Sequence, residues 1–200
     1  MQLHNLFPTP IGFFDLDRDF TALEKKFVDK QDTRANMGNT TSIDNYVLKN
    51  KNLSGLKQFF DDSLQAYLRA THNPKQDIKL RITQSWINYT RPGEFHHKHA
   101  HPNSFISGVF YIQTDPTKDR IFFYNDAYKQ LKFEIAEWNQ YNSESWWFEA
   151  LPKRLILFPS SLTHMVETTL KDSETRISLS FNTFPVGLLG INQDLTELEL

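Results

Sequence analysis

Cysteine is absent from this chain of 200 residues. That removes disulfides, thiolate zinc sites, iron–sulfur clusters and cysteine nucleophiles together. Any metal ion would have to sit on His, Asp, Glu or backbone oxygen. Glycine is scarce, with seven scattered residues and no phosphate-cradling loop among them. No apolar run approaches the length needed to cross a bilayer, and the opening Met-Gln-Leu-His-Asn-Leu-Phe-Pro lacks the plan of a secretory signal. The expectation is a soluble cytoplasmic protein. A net charge of −2 exerts no global pull toward nucleic acid or anionic membrane.

What is present reads as one globular domain. Hydrophobic residues make up 39% and charged residues 23%, and the aromatics (17 Phe, 7 Tyr, 4 Trp) favour sheets. Residues 6–16 suit a short edge strand, 20–30 a short helix and 31–52 a loop rich in Asn, Thr, Asp and Lys. From Ser54 to Thr71, Leu56, Phe59, Phe60, Leu64, Tyr67 and Leu68 recur at helical spacing, and His72-Asn73-Pro74 stops the run. This helix should cover a sheet.

After Ile78 the texture turns to alternation broken by turns, with strands expected at 79–90, 105–112, 120–125, 130–136, 145–149, 154–158, 163–169 and 174–184. Many short strands after helices predict a β-sandwich or small barrel with helices packed outside. Residues 1–77 would support a core at 78–185, and 186–200 would form a frayed or partner-docking tail. In the last strand Arg176, Ser178, Ser180 and Asn182 share one face, with Ile177, Leu179 and Phe181 on the other. The polar face is either wet or lines a barrel mouth, where an arginine and a hydroxyl would meet a ligand carboxylate.

Four of the seven histidines fall at His96, His97, His99 and His101. In extended chain His97, His99 and His101 point one way and His96 the other. Two imidazoles at i and i+2 can grip one ion, although a solvated histidine-rich loop has the same spacing. A remote third ligand is available at His164, and Arg176-Ile177-Ser178 follows twelve residues later. Two close ligands, one remote ligand and an Arg-x-Ser suit a facial metal triad with a carboxylate-bearing co-substrate.

On these residues the chain resembles the iron(II)- and 2-oxoglutarate-dependent oxygenases, and within them a bacterial and phage branch similar to the prolyl hydroxylases. The resemblance is carried by Ser85-Trp86-Ile87-Asn88-Tyr89, Pro92-Gly93 and His99-Ala100-His101-Pro102-Asn103-Ser104. It continues through Ser107-Gly108-Val109-Phe110-Tyr111-Ile112, Leu157-Phe158-Pro159-Ser160 before His164, and Arg176-Ile177-Ser178-Leu179-Ser180-Phe181-Asn182; Leu6-Phe7-Pro8-Thr9-Pro10 also fits. It implies a mainly β fold with flanking helices, a double-stranded β-helix of jelly-roll, cupin-like form. It further implies iron(II), 2-oxoglutarate as co-substrate with ascorbate in support, and hydroxylation of a C–H bond with release of succinate and carbon dioxide.

Carried over residue by residue, His99 is the first metal ligand, His101 stands where most relatives have Asp or Glu, and His164 is the last. Arg176 would pair with the far carboxylate of 2-oxoglutarate, assisted by Ser178 and Tyr111, and Tyr89 matches a pocket tyrosine of the prolyl hydroxylases. His96 would face away or support the site from behind, and His97 would be a solvated neighbour. The resemblance makes a peptidyl, prolyl-like side chain the first substrate expected, and a homodimer is common in the family.

The histidine at 101 is a departure with a physical consequence. Three neutral imidazoles offset none of a divalent ion's charge. A dioxygenase that dispenses with 2-oxoglutarate, a three-histidine zinc hydrolase or hydratase, and a non-catalytic binding barrel therefore stand as alternatives, as does completion of the shell by Glu94 or Asp126. Arg176 and Ser178 favour the oxygenase, because a hydratase needs no carboxylate fork. The Trp138, Trp146, Trp147 and Phe148 cluster reads as sheet packing. Glu134, Glu137, Glu144 and Glu149 read as solvated faces.

Overall fold

The computed structural model describes residues 1–125, 131–170, 172 and 174–200. In chain order the elements are β1 (Gly12–Asp15), α1 (Ala22–Asp29), β2 (Thr33–Ala35), β3 (Thr40–Ser42), α2 (Ser54–Thr71), β4 (Lys79–Thr90), β5 (His96–His99) and β6 (Ile106–Gln113). There follow β7 (Arg120–Tyr124), β8 (Ser145–Glu149), β9 (Arg154–Pro159), β10 (His164–Val166), β11 (Arg176–Val186), β12 (Leu188–Leu189) and β13 (Leu198–Glu199). A seven-stranded sheet runs β1-β9-β6-β11-β4-β3-β2, and a four-stranded sheet runs β5-β10-β7-β8.

Two-residue alternation distributes the side chains of the larger sheet between two cores. Ile106 and Phe110 of β6, Leu155 and Leu157 of β9, and Leu179 and Phe181 of β11 meet α2 through Leu56, Phe60, Leu64 and Leu68. Phe60 lies against Phe110 and Phe181, with ring centroids 5.1 and 5.2 Å apart. The alternate residues Val109, Tyr111, Ile156 and Phe158 face the smaller sheet, where Ile121, Phe123 and Val166 complete a second core. Strands β6 and β9 are thus buried on both faces, which is why their sequences are nearly continuous apolar runs.

Several expectations need correction. Residues 131–136 form no strand, and Leu131 and Phe133 are exposed. Their alternation is real, but among the described residues they pair with no strand. Residues 31–52 are more than a loop: β2 and β3 extend the large sheet, and Thr40 and Thr41 donate their hydroxyls to the carbonyls of Tyr89 and Ile87 on β4. The C-terminal residues close a small hairpin, β13 pairing with β12. Asp126 and Gln130 lie outside the described residues. Among the described residues no helix is long and apolar enough to cross a membrane.

Candidate metal centre

Strand β10 places His164 directly opposite His99 on β5. Pairing then slips: two residues along β10 span three along β5, so that Val166 faces His96. This β-bulge reverses the parity of the strand. His96, expected to face away or to support the site from behind, stacks its ring on His99 at 4.8 Å. His101 follows β5 in a segment pinned by its backbone N–H, which donates to the carbonyl of Ser160 at 2.9 Å.

The imidazoles of His99, His101 and His164 bring one ligand nitrogen each within 4.8 Å of the others. Nδ1 of His99 lies 2.7 Å from the carbonyl of His97, and Nδ1 of His164 lies 3.0 Å from that of Leu162. A carbonyl oxygen can only accept, so both Nδ1 atoms carry the proton and both Nε2 atoms keep a free lone pair. Nε2 of His164 sits 3.3 Å from Nε2 of His101. Burial and the neighbouring imidazoles push His101 down to about 4 and His164 to about 3, and burial lowers His99 too. Three histidines held neutral with their lone pairs converging are a donor set suited to a transition-metal ion.

His96, His97 and His99 form a second such group. His99 has one free lone pair, however, and can serve one group at a time. The inner group contains buried His164, whereas His96 and His97 are both partly exposed.

Across the interior, Asn88, Ser178 and Tyr111 form one row on adjacent strands, since Ser178 of β11 faces Asn88 on β4 and Tyr111 on β6. The Tyr111 hydroxyl and Asn88 Oδ1 are buried without a hydrogen-bond partner among the described residues. Burial raises the Tyr111 phenol well above its ordinary value, keeping it a neutral donor. Arg176, one inward step from Ser178, is 3% exposed; its Nη1 donates to Asp119 at 2.7 Å and its Nη2 to the Glu167 carbonyl at 3.2 Å. Glu167 lies three residues beyond His164, directly after β10.

The structure does not bring Tyr89 to this site. Asn88 and Thr90 point inward, so Tyr89 must point outward, where it packs on the helix-side core and donates to the Val28 carbonyl. Glu94 accepts the Arg91 backbone N–H at the turn after β4. Reading the sequence missed Asn88 and Asp119. Asn88 carried a signal, an amide amid the apolar run Trp-Ile-Asn-Tyr, whereas Asp119 lies in a turn with no local cue.

Residues 84–182 match the family model described as "Putative 2OG-Fe(II) oxygenase". The chain belongs to the 2OG-Fe(II) oxygenase family. No curated protein matches it by sequence. Among solved structures, this oxygenase is similar to HygX of Streptomyces hygroscopicus, solved with nickel, 2-oxoglutarate and hygromycin B. The TM-score there is 0.60 at 12% identity, covering 88% of this chain and 82% of that one. It also resembles a 2OG-Fe(II) oxygenase family member of Burkholderia pseudomallei, with TM-score 0.57, 12% identity and coverage of 81% and 78%. A third likeness is a Pseudomonas putida prolyl-4-hydroxylase, with TM-score 0.52, 13% identity and coverage of 87% and 92%. The two facing sheets are therefore the double-stranded β-helix, and iron(II) and 2-oxoglutarate are the cofactor and co-substrate of this oxygenase. The neutral imidazole triad and the Tyr111 hydroxyl, without a partner among the described residues, fit that pair.

Proposed function

We propose that this oxygenase hydroxylates a C–H bond of an extended peptidyl substrate, a prolyl-like side chain being the first candidate, with release of succinate and carbon dioxide. The observation that carries it is the meeting, inside one barrel, of the neutral His99, His101 and His164 triad with the buried donors Arg176, Ser178 and Tyr111. The three imidazoles would hold the metal. Iron(II), when bound, supplies the dioxygen activation that couples oxidation of 2-oxoglutarate to oxidation of the substrate. Arg176, Ser178 and Tyr111 would bind and orient the end of the oxo acid remote from the metal. Val109, Ile121, Phe123, Phe158 and Val166 wall the interior and exclude water around it.

Support for an extended substrate comes from a cleft of about 1030 Å³ between residues 4–11 and the barrel rim, lined by Phe7, Pro8, Tyr124, Tyr141, Trp146 and Thr163 among others. That volume is at the upper end for a small-molecule pocket. The imidazoles do not line it; Phe123 of its wall lies beside them, its ring centroid 6.2 Å from that of His164, and Thr163 precedes His164 in the chain. The likeness in fold to a prolyl-4-hydroxylase points the same way.

The test is anaerobic titration of the iron-loaded protein with 2-oxoglutarate, following the metal-to-ligand charge-transfer band in the visible. The band should appear in the wild type and weaken in Arg176→Ala with the metal retained. No band, or loss of metal in Arg176→Ala, overturns the assigned roles. Incubation with proline-containing peptides should then add the mass of one oxygen atom and release succinate; turnover of free amino acids alone would exclude the peptidyl substrate.

A further inference from the structure

Only two acids are buried among the described residues, Glu24 on α1 and Asp119 just before β7. Asp119 is fixed from two sides. One oxygen accepts the backbone N–H of Asp115 at 2.9 Å, and the other accepts Nη1 of Arg176 at 2.7 Å. Both partners of this ion pair are almost fully buried, with side chains 3% and 4% exposed. The site's charge is therefore unevenly placed. Three neutral imidazoles leave a divalent ion's charge whole at one end, while at the other end carboxylate and guanidinium cancel.

We propose that Asp119 sets the co-substrate selectivity of this oxygenase: by cancelling the charge of Arg176 it lets the pocket accept 2-oxo acids with an uncharged, hydrogen-bonding tail alongside 2-oxoglutarate. The proposal rests on the pocket assignment given above. The donors left at that end are the Tyr111 hydroxyl, Ser178 and the remaining guanidinium N–H groups, three of the five being unused by Asp119 and Glu167. An ester or amide carbonyl satisfies these donors as a carboxylate does. A second carboxylate, by contrast, must settle beside Asp119, and like charges a few ångströms apart disfavour each other by about one pK unit or more, which is about tenfold in affinity.

Asp119 acts through Arg176 and is a positioning residue. Its test is calorimetric titration of the nickel-loaded protein with 2-oxoglutarate and with its methyl ester at the carboxylate remote from the keto group. The wild type should bind the two within about tenfold of each other. Asp119→Asn should tighten 2-oxoglutarate by about tenfold or more and leave the ester unchanged. A wild-type preference for the dianion above about tenfold overturns the proposal without any variant, so it is decided even if Asp119→Asn does not fold. Weakening of 2-oxoglutarate in Asp119→Asn, or an equal change for both compounds, also overturns it and leaves Asp119 a structural support for Arg176. If nickel binds and neither compound does, the pocket assignment itself fails and the selectivity proposal falls with it.

Discussion

Tyr111 separates what a side chain does for the fold from what it does for a ligand. Its ring fills the second core, but its hydroxyl is buried with no partner among the described residues. A buried donor left unpaired costs about 1–3 kcal/mol, and removing it relieves that cost. Tyr111→Phe should therefore leave stability unchanged or raise it by about 1 kcal/mol in urea unfolding, while 2-oxoglutarate affinity falls about five- to tenfold, the worth of one hydrogen bond. A stability loss with unchanged affinity would assign the hydroxyl to the fold. Glu24 shows the opposite economy. It accepts two bonds from Arg18, at 2.6 and 2.8 Å, and closes a capping box with Thr21 at the start of α1. Burial raises its carboxyl, but the Arg18 and Thr21 bonds outweigh this and hold it below its ordinary 4.5. A depressed folded-state value means the stabilisation is complete above about 4.5 and is lost as pH falls through the lower folded value. Glu24→Gln should melt below the wild type at pH 7, with the gap closing in acid below pH 4.5; a gap independent of pH would show that packing, not charge, is the cause.

At the scale of elements, Gly108 shows how close the sheet and helix layers come. It lies on β6 opposite Phe181 of β11, and a Cβ there would meet the Phe181 ring at 2.3 Å. Phe181 is itself trapped against Phe60 of α2, so the ring has nowhere to go. Gly108→Ala should cost about 1–3 kcal/mol, as overpacked cores do, visible as a lower urea midpoint with unchanged slope; no change would mean that α2 moves freely over the sheet. The same layering explains what could be read in the sequence. Helix α2 was legible to the residue at 54–71 because its apolar stripe has one partner, the sheet. Strand β8 was equally plain at 145–149. Residues 131–136 alternate as well as β8 does, but pairing requires a neighbour that local sequence does not specify. The bulge in β5 is invisible to strict alternation for the same reason, and it accompanies the stacking of His96 on His99. His99, His101, His164, Arg176, Ser178 and Tyr111, the residues of the proposed site, stand out in the sequence through motif and face. Asp119 does not, because its meaning depends on Arg176, 57 residues away in sequence.

At the scale of the molecule, the proposed metal centre would also be a cross-link. His99 comes from β5, an edge strand of the small sheet whose one partner there is β10; His101 comes from the segment leading to β6, and His164 from β10. His101 and His164 are 63 residues apart in sequence yet their Nε2 atoms lie 3.3 Å apart in the fold. An unfolded chain offers no such convergence, so the free energy of metal binding is added to that of folding. At free metal one hundred times the dissociation constant, the increment is about 2.7 kcal/mol. For a domain of this size each kcal/mol moves the melting temperature by about 2–4 °C, so chelation should lower it by roughly 5–10 °C. His164→Ala should begin lower, because it opens a cavity in a buried site, and should show no further drop with chelator. His97→Ala, which leaves the inner triad intact, should retain the full metal-dependent increment. Differential scanning calorimetry of the three proteins, with nickel and with chelator, measures both effects. If His97→Ala loses the increment and His164→Ala keeps it, the ion sits on the outer group of His96, His97 and His99, and the assignment of the centre must move there.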